Sequence, residues 1–350
     1  MVVRGRTAHA LGMRAFHLFA LALVECSSPL PSLPTPTVDA STLEVPLVHV
    51  FDDDDGRLLY AQAADGEVFS GEHLDHPEPA ISRALSITGY GSLFGFGWDC
   101  AALPTGEVLC KGDDVAGSLG ATPTTECQGM LWSTNPCVLD WTALPDVHDL
   151  RQIHGTCGVD YSGNVVCWAG PTPTFPRPVR ELTGTFAILN NGDLYSMSGG
   201  TPILTRVVQA TSAESGGNTS CAITDDTSLY CWGDNESGQV GDGTTTNRDS
   251  PVLIGAGYRH VRTDAYATCA IRMDETVACW GDVYVFNPQN DQHECGVDDT
   301  CTPLPVVGLS NVKEIAGLSY GFDALLDDGS VVHVSWPASS PTIGTTHPSP

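Results

Sequence analysis

Four pairs of cysteines in this sequence enclose nine residues each, a spacing that suits disulfide chemistry. In each pair the enclosed segment has turn-forming residues near its centre, as in CAITDDTSLYC. The spacing therefore predicts that the paired cysteines lie on the two strands of a β-hairpin. The pairs are Cys100 with Cys110, Cys157 with Cys167, Cys221 with Cys231, and Cys269 with Cys279.

The same eleven-residue unit recurs three more times without cysteine, so the spacing belongs to a repeat. The second residue is Ala in six of the seven units, the ninth is always Val or Leu, and the seventh is Gly in five. This pattern predicts a three-residue hairpin loop in which Gly takes the left-handed conformation. The first and eleventh residues then lie opposite each other, close to the separation that a disulfide needs. The units begin at residues 60, 100, 157, 186, 221, 269 and 323.

The cysteine count favours disulfides over free buried thiols. The chain has 13 cysteines, of which Cys26 stands apart near the N-terminus and the other twelve fall into adjacent pairs. Every unit has cysteine at both ends or at neither, which unrelated thiols would not maintain. Zinc is a weaker interpretation, since no C-x-x-C motif occurs and only Cys295 lies beside a histidine, His293. Two remaining pairs are expected to staple inserted loops: Cys127 with Cys137, and Cys295 with Cys301.

Both faces of each predicted hairpin are apolar, so each hairpin needs cover on two sides. In CAITDDTSLYC, Ile223 and Leu229 share one face with the cysteines, and Ala222 and Tyr230 point the other way. Preceding segments such as PVLIGAGYRHVRTDAYAT add two strands to a hairpin. Seven four-stranded antiparallel sheets of this kind predict an all-β fold, a seven-bladed β-propeller over residues 45–336. No obvious strand precedes VPLVHVF, so a strand from the other end of the chain is expected to complete the first blade.

The residues after the fifth hairpin resemble a known repeat. Their motif is similar to the W-G and N-x-x-G-Q-L-G pattern of the regulator of chromosome condensation family, and Gly117-Ser118-Leu119-Gly120 is a shorter echo of it. The resemblance implies a seven-bladed propeller, and the form with bracketing cysteines resembles exported bacterial variants, many of them lipoproteins. The matching residues are Trp232, Gly233, Asn235, Gly238, Gln239, Val240 and Gly241, with Trp280 and Gly281 after the sixth hairpin.

The N-terminus is typical of an export signal. Three arginines precede the apolar run 15–24, which is too short to span a membrane but suits the hydrophobic region of a signal peptide. We therefore expect a signal peptide over 1–25 and a Pro/Ser-rich tether over 26–44. The tail 337–350 is expected to be disordered because it has few apolar residues.

The sequence LVEC, which ends at Cys26, resembles a bacterial lipoprotein signal. In that signal the cysteine becomes lipidated after cleavage, so Cys26 is the expected lipid attachment site. Glu25 departs from the pattern, in which a small residue is expected at this place. A plain secretory signal that is cut nearby is the alternative.

Other residue groups with possible chemistry are interpreted as structural. FDDDDG (51–56) has carboxylates that could bind calcium, but it suits a turn between two strands. EHLDH (72–76) could hold a metal through His73 and His76, although a solvated loop fits better. GYGSLFGFGW (89–98) lacks the lysine of a phosphate loop and is interpreted as a strand. No spacing picks out a catalytic triad, so we assign no catalytic residue, metal ligand or cofactor.

Charge and fold together favour a binding function. The 42 acidic and 15 basic residues give a net charge of −27, which disfavours nucleic acid as a partner. The predicted function is an exported, non-enzymatic binding propeller for a protein or polysaccharide, at the outer membrane or cell surface as a lipoprotein, or secreted. The alternatives are a secreted enzyme, for example one that acts on glycans at the channel, and a structural envelope protein. An acidic cluster at the channel mouth would favour the enzyme, and an apolar patch among the loops would favour binding.

Overall fold

The structure is a computed structural model of the chain. The propeller belongs to the unit 38–350. The expected signal peptide, the tether and Cys26 lie outside the described residues. The described ranges are 47–52, 59–71, 78–91, 97–113, 119, 125–128, 134–197, 201–282, 300–306, 308–317, 321–335 and 344–346.

All seven predicted hairpins are present, with the predicted register. In the fifth, Cys221 lies opposite Cys231 and Ile223 lies opposite Leu229. The first and eleventh residues of every other unit also face each other. The seventh residue of each unit has a φ between 63° and 93°, including Thr227 and Glu275, which replace glycine. The hairpin prediction is therefore confirmed.

Side chains at the sixth position hold these turns in shape. In five units a carboxylate or amide oxygen accepts the backbone N–H of the eighth residue at 2.9–3.3 Å. This contact is an Asx turn, in which the side chain replaces a backbone acceptor. The acidic hairpin tips therefore have a structural explanation. The residues are Asp65, Asn191, Asp226, Asp274 and Asp328.

The strands of the first three sheets are short and follow one another along the chain. The first sheet contains β1 (Leu47–Asp52), β2 (Leu59–Ala63), β3 (Glu67–Gly71) and β4 (Glu78–Ser82). The second contains β5 (Ser86–Gly91), β6 (Gly97–Ala102), β7 (Glu107–Asp113), β8 (Thr125–Gln128) and β9 (Thr134–His148). The third contains β10 (Leu150–His154), β11 (Cys157–Asp160) and β12 (Val165–Cys167).

The last four sheets have four strands each. They are β13 (Val179–Thr183), β14 (Phe186–Leu189), β15 (Leu194–Ser196) and β16 (Ile203–Leu204); β17 (Ala210–Gly216), β18 (Thr219–Thr224), β19 (Ser228–Gly233) and β20 (Arg248–Ala256); β21 (Tyr258–Thr263), β22 (Ala267–Arg272), β23 (Val277–Gly281) and β24 (Thr300–Pro305); and β25 (Val312–Ala316), β26 (Gly321–Leu326), β27 (Val331–Ser335) and β28 (Gly344–Thr346). Within the described residues there is no helix with the length and apolar character to span a membrane.

The described strands form seven antiparallel sheets, called blades 1 to 7 in chain order, and five of them have the predicted four strands. The four-strand prediction is wrong for the other two. Blade 3 has three strands, because the segment that follows it contains four prolines, which have no N–H to donate to a sheet. Blade 2 has five, because the insertion around Cys127 and Cys137 forms the hairpin β8–β9 at the outer edge, and not a simple loop. The prolines are Pro171, Pro173, Pro176 and Pro178.

The blades close into a ring. The described residues form seven apolar clusters, and each cluster joins two consecutive blades, including blade 7 with blade 1. An open stack of seven sheets has six interfaces, whereas a ring has seven. The first strand of every blade also contacts the first strand of the next, and β25 contacts β1. The fold is therefore an all-β, seven-bladed β-propeller whose first strands surround the central channel.

Side chains close the ring, and among the described strands none is exchanged between its ends. Blade 1 uses only residues 47–82 and blade 7 only residues 312–346. The expectation that a strand from the other end of the chain completes the first blade is therefore wrong. The segment LVHVFD already supplies the inner strand. The closing cluster contains Leu47, Val50, Ala61, Ala63, Ala316, Leu325 and Val331.

The propeller extends past residue 336. Gly344–Thr346 forms β28 and pairs with Val331, Val332 and His333 of β27. The expectation of a disordered tail is therefore wrong for these three residues. The edge of β27 offers unpaired N–H and C=O groups, and a short strand satisfies them without apolar side chains of its own.

Each bracketing cysteine pair is bonded in the structure. The four disulfides join Cα atoms that lie 4.0–4.1 Å apart. Cys137 and Cys301 are also disulfide-bonded. The side chains of Cys127 and Cys295 lie outside the described part of the chain, so those two pairings stay predictions. The four disulfides are Cys100–Cys110, Cys157–Cys167, Cys221–Cys231 and Cys269–Cys279.

The Cys157–Cys167 disulfide differs from the other three in exposure. Both of its cysteines are partly exposed, because blade 3 has no fourth strand to cover them. The cysteines of the other three bonds are buried. Access of a reductant controls how fast a native disulfide is reduced.

We predict that mild reduction of the folded protein opens Cys157–Cys167 first. Alkylation followed by mass spectrometry should label these two cysteines before any other hairpin pair. The double variant Cys157→Ser/Cys167→Ser should lose the fast labelling phase, and the control Cys221→Ser/Cys231→Ser should keep it. Earlier labelling of any other hairpin pair would contradict the prediction.

Candidate functional site

Several of the predicted repeat-motif residues lie in the loop that connects β19 and β20 of blade 5 and packs against blade 6. The side chain of Asn235 is fully buried. Its Nδ2 donates to the carbonyls of Thr244 and Thr246, at 2.9 and 3.1 Å, and its Oδ1 accepts the N–H of Val240 at 2.9 Å. Asn235 therefore holds the loop closed.

Gln239 fastens this loop to blade 6. Its carbonyl accepts the indole N–H of Trp280 at 2.9 Å and the hydroxyl of Thr268 at 2.8 Å. Its side chain donates to the carbonyl of Ala265 at 3.0 Å. Gly241 has a φ of 88°, and a Cβ there would lie 2.5 Å from Trp280 Nε1, so the loop requires glycine.

The remaining motif residues also have structural positions. Trp232 packs edge-on against Phe186 of blade 4, with ring centroids 5.6 Å apart. Gly233 and Gly281 end β19 and β23, and Gly238 lies against Cys301. In the shorter echo of the motif, Leu119 is buried between blades 2 and 3, as Val240 is between blades 5 and 6. These residues stabilise the propeller, so a binding site has to be sought elsewhere.

One mouth of the central channel is lined by equivalent residues of the seven blades. In six blades the inner strand has an irregular register at its second residue, which indicates a β-bulge. Blade 2 shows no such shift, and Leu85 is its equivalent residue. This end of the inner strands lies beside the hairpin turns, and we call this side the hairpin-turn face. The mouth ring consists of Val48, Leu85, Arg151, Arg180, Thr211, Arg259 and Lys313.

Three arginines of the mouth ring reach across to the next blade. Arg151 donates to the carbonyl of Val179 at 3.1 Å and also to that of Arg180. Arg180 donates to the carbonyls of Ala210 and Thr211, at 2.8 and 3.2 Å. We call this contact an arginine staple. The bulge leaves two successive carbonyls outside the sheet, and a guanidinium satisfies both.

The third staple joins blades 6 and 7. Arg259 donates through Nη1 to the carbonyl of Lys313 at 3.2 Å, and through Nη2 to that of Val312. The acceptors are again the first and second residues of the next inner strand. The same guanidinium–carbonyl geometry therefore occurs at three of the seven blade junctions.

Side chains of the third inner-strand residues form hydrogen bonds between neighbouring blades, deeper in the channel than the mouth ring. Ser86 exchanges two hydrogen bonds of 3.2 Å with the backbone of Ile153. Gln152 exchanges two of 3.0 Å with the backbone of Leu182. Neighbouring inner strands are therefore joined through side chains of the preceding blade.

A charged pair forms the equivalent link where the ring closes. His49 Nδ1 lies 2.8 Å from Glu314 Oε1, and the N–H of Val50 donates to Glu314 Oε2 at 3.0 Å. The hydrogen bond with Glu314 raises the pKa of His49 despite partial burial. Burial alone would raise the pKa of Glu314, but the bonds from His49 and Val50, with the nearby charge of His260, lower it.

Glu181 is the second carboxylate at this depth of the channel. Burial raises its pKa, and the positive charges of Arg180 and Arg151 only partly offset this effect. It belongs to blade 4, whereas Glu314 belongs to blade 7. Deeper again, Arg262 pairs with Glu214 at 3.0 Å. These carboxylates are distributed over different blades, and Glu314 and Glu214 are engaged in links to the next blade.

The hairpin-turn face exposes large apolar side chains. In the mouth ring, 38% of Val48 and 43% of Leu85 is exposed. At the hairpin tips of blades 3 and 6, the exposed fractions of Tyr161 and Met273 are 69% and 57%. The mouth ring combines such residues with cations and contains no carboxylate.

The acidic motifs considered for metal binding do not form a site in the described residues. No group of three or more His, Cys, Asp or Glu side chains that could hold a metal occurs among them. In FDDDDG, only residues 51 and 52 are described, as the end of β1. EHLDH (72–76) lies outside the described residues, so its metal alternative stays untested. In GYGSLFGFGW, the two ends belong to two different strands, β5 and β6, which pair antiparallel with each other, so the interpretation of the segment as a single strand is wrong.

The mouth ring was missed by sequence reasoning, although a signal for it exists. Four of the seven inner strands begin with an apolar residue, a cation, a polar residue and a second apolar residue. This pattern is weaker than the hairpin repeat, and nothing in the sequence marks the second residue as a bulge. The segments are LRQI (150–153), VREL (179–182), YRHV (258–261) and VKEI (312–315).

Two family models match the chain, and both describe the regulator of chromosome condensation (RCC1) repeat. The matches cover residues 210–239 and 226–263, which are blade 5 and the inner strand of blade 6. This agrees with the resemblance seen at Trp232 to Gly241. The chain is therefore a seven-bladed β-propeller in which residues 210–263 match the RCC1 repeat.

Similar solved structures include Prp20p from Saccharomyces cerevisiae, with a TM-score of 0.48, 12% identity and coverage of 83% of this chain and 72% of that chain. Human WBSCR16 has a TM-score of 0.45 and 13% identity, over 84% of this chain and 77% of that chain. PorZ of Porphyromonas gingivalis, a bacterial surface component of the type-IX secretion system, has a TM-score of 0.47 and 14% identity, over 85% of this chain and 38% of that chain. No functional conclusion follows from similarity at this level. The comparison with curated proteins found no match.

We predict that the His49–Glu314 pair makes the stability of the ring depend on pH. The raised pKa of His49 adds stability below about pH 6.5, which is lost as the pH rises through its folded value. The lowered pKa of Glu314 adds stability above about pH 4.5, which is lost as the pH falls through its folded value. The contribution of the pair is therefore largest between these values, and partial exposure keeps it below about 1 kcal/mol.

Urea denaturation of His49→Ala at pH 5.5 and pH 8.5 measures this effect. The variant should lose more stability, relative to the wild type, at pH 5.5. His148→Ala is the control, because His148 is exposed and pairs with its sequence neighbour Asp149, away from the closure of blades 7 and 1. An equal loss at both pH values for His49→Ala would contradict the prediction.

Proposed function

We propose that this protein is an exported, non-enzymatic propeller that binds a protein or polysaccharide partner on its hairpin-turn face. The observation that carries the proposal is the composition of the mouth ring. Val48 and Leu85 are exposed beside arginine and lysine, where apolar side chains gain from contact with a partner. Tyr161 and Met273 extend the apolar surface to the hairpin tips of the same face. Aromatic residues, methionine and arginine are enriched at protein interfaces.

The same ring supports binding over catalysis at the channel. A glycan hydrolase of the usual kind needs two carboxylates that flank the bond to be cleaved. The mouth ring has none, and deeper in the channel Glu314 already accepts hydrogen bonds from His49 and Val50. The pKa of Glu314 is lowered, which is the wrong direction for a general acid. The pKa of Glu181 is raised by burial, but Glu181 lies three blades away from Glu314, so the two carboxylates do not flank a common bond.

Export is part of the proposal, and the disulfides support it. Disulfides persist in oxidising compartments, and this propeller has four within its hairpins. The N-terminal signal pattern, the tether and Cys26 lead us to propose a lipid-anchored bacterial protein of the outer membrane or cell surface, with plain secretion as the alternative. Palmitate labelling of cells should mark the wild-type chain and not Cys26→Ala. Labelling that survives this substitution would contradict lipidation at Cys26.

The test of the binding function is affinity capture from intact cells with residues 27–350. Captured proteins are identified by mass spectrometry and captured glycans by sugar analysis. Leu85→Asp places a charge on the hairpin-turn face and should abolish capture without lowering the melting temperature. Leu253→Asp is the matched control, since Leu253 is 56% exposed but lies on the outer strand β20. Capture that resists Leu85→Asp would contradict the assignment of the face.

A further inference from the structure

The arginine staples show what chemical group fits the bulge carbonyls at the channel mouth. In blades 4, 5 and 7, the carbonyls of the first two inner-strand residues accept hydrogen bonds from a guanidinium. In each case the arginine is the mouth-ring residue of the preceding blade. The chain itself therefore provides three occupied examples of the same site.

Blade 6 has the same bulge but no staple. Its register shifts between Tyr258 and His260, so the carbonyls of Tyr258 and Arg259 occupy the acceptor positions. The mouth-ring residue of blade 5 is Thr211, which is exposed, and its hydroxyl donates to Ile223 within its own blade at 3.1 Å. Among the described residues, no side chain donates to either carbonyl. A threonine is too short to span the junction as Arg180 does one blade earlier.

The two other bulged junctions that lack a staple are less suited to a ligand. Between blades 7 and 1, Lys313 already places a cation in the ring, and its Nζ donates to the carbonyl of Asp327 at 2.9 Å. Between blades 2 and 3, Leu85 places an aliphatic side chain in the ring. The junction of blades 5 and 6 is therefore the one where the ring residue is small, polar and exposed.

We propose that the carbonyls of Tyr258 and Arg259, beside Thr211, bind the guanidinium of an arginine side chain from a partner polypeptide. This site rests on the proposed function, because it lies on the hairpin-turn face, and it names the chemistry of the partner. The partner arginine donates hydrogen bonds to these two carbonyls, as Arg151, Arg180 and Arg259 of this chain donate to the equivalent carbonyls at the other junctions.

The net charge and the acidic hairpin tips beside this junction attract a basic partner, whereas the mouth ring itself carries cations. The chain has a net charge of −27, which attracts cations and speeds their association. The hairpin tips of the two blades at this junction are acidic, with Asp225 and Asp226 on blade 5 and Asp274 and Glu275 on blade 6. Hydrogen bonds within the turns, from Thr224 and from Thr276, lower the pKa of Asp226 and of Asp274, so both stay ionised at neutral pH. An uncharged polysaccharide offers no group for this site.

The first test fills the site in cis. Thr211→Arg should form a fourth staple and raise the melting temperature by about 1–3 °C. Thr211→Met and Thr211→Lys are the controls. Methionine supplies a long side chain without a charge, and lysine supplies a positive charge without the planar fork of a guanidinium. An equal or larger rise in either control, or no rise in Thr211→Arg, would overturn the proposal.

The second test fills the site in trans with a small probe. Titration of residues 27–350 with N-acetyl-arginine methylamide, followed by amide and carbonyl NMR shifts, should move the signals of Thr211, Tyr258 and Arg259. N-acetyl-lysine methylamide should bind at least tenfold more weakly, and Thr211→Arg should weaken arginine binding at least tenfold. Equal binding of the two probes, or unchanged binding to Thr211→Arg, would overturn the proposal.

The captured partner separates this inference from the proposed function. A partner that Leu85→Asp releases and Thr211→Arg retains would overturn the arginine site and leave the binding face in place. Release by Thr211→Arg, with retention by the conservative variant Thr211→Ser, is the expected result. If capture fails altogether, the probe titration still decides on the site.

Discussion

The whole structure depends on the fact that every hairpin of this chain is apolar on both faces. A sheet of this kind loses stability unless a neighbour covers each face, because each exposed apolar area costs free energy in water. Stacking seven such sheets leaves two uncovered ends, and only ring closure removes them. The cluster around Leu47 and Leu325 is that closure, and the inner strands, the channel and both propeller faces follow from it.

Radial packing then creates a second constraint at the centre of the ring. Inner strands of neighbouring blades do not form a common sheet, so their free polar groups need partners from side chains. Six of the seven blades have a bulge at this place, and at three junctions an arginine such as Arg180 satisfies the two carbonyls that the bulge turns away from the ladder. The same requirement that stabilises the ring thus places cations at one channel mouth of a strongly acidic protein. The structure of the ring and the proposed binding chemistry are therefore linked at the mouth ring.

Features that depend on a local sequence pattern were predicted correctly. Features that depend on contacts between distant segments were not. Hairpin register followed from the eleven-residue unit, because paired positions such as Cys221 and Cys231 repeat at a fixed distance. Prolines such as Pro173 indicate in the sequence that blade 3 lacks a fourth strand, but the repeat pattern alone predicts four strands for every blade. Closure without strand exchange depends on contacts between the two ends of the chain, which no local pattern encodes. The short strand β28 pairs with the nearby strand β27, but it has no apolar pattern of its own to mark it as a strand.

The stability of Leu325→Ala tests ring closure most directly. Leu325 is fully buried in the cluster between blades 7 and 1, so in a closed ring the substitution should cost about 2–4 kcal/mol in urea denaturation. Ile223→Ala, at the equivalent position between blades 5 and 6, should cost a similar amount. In an open stack Leu325 would face water, and a loss below about 0.5 kcal/mol, beside a large loss for Ile223→Ala, would contradict the closed propeller.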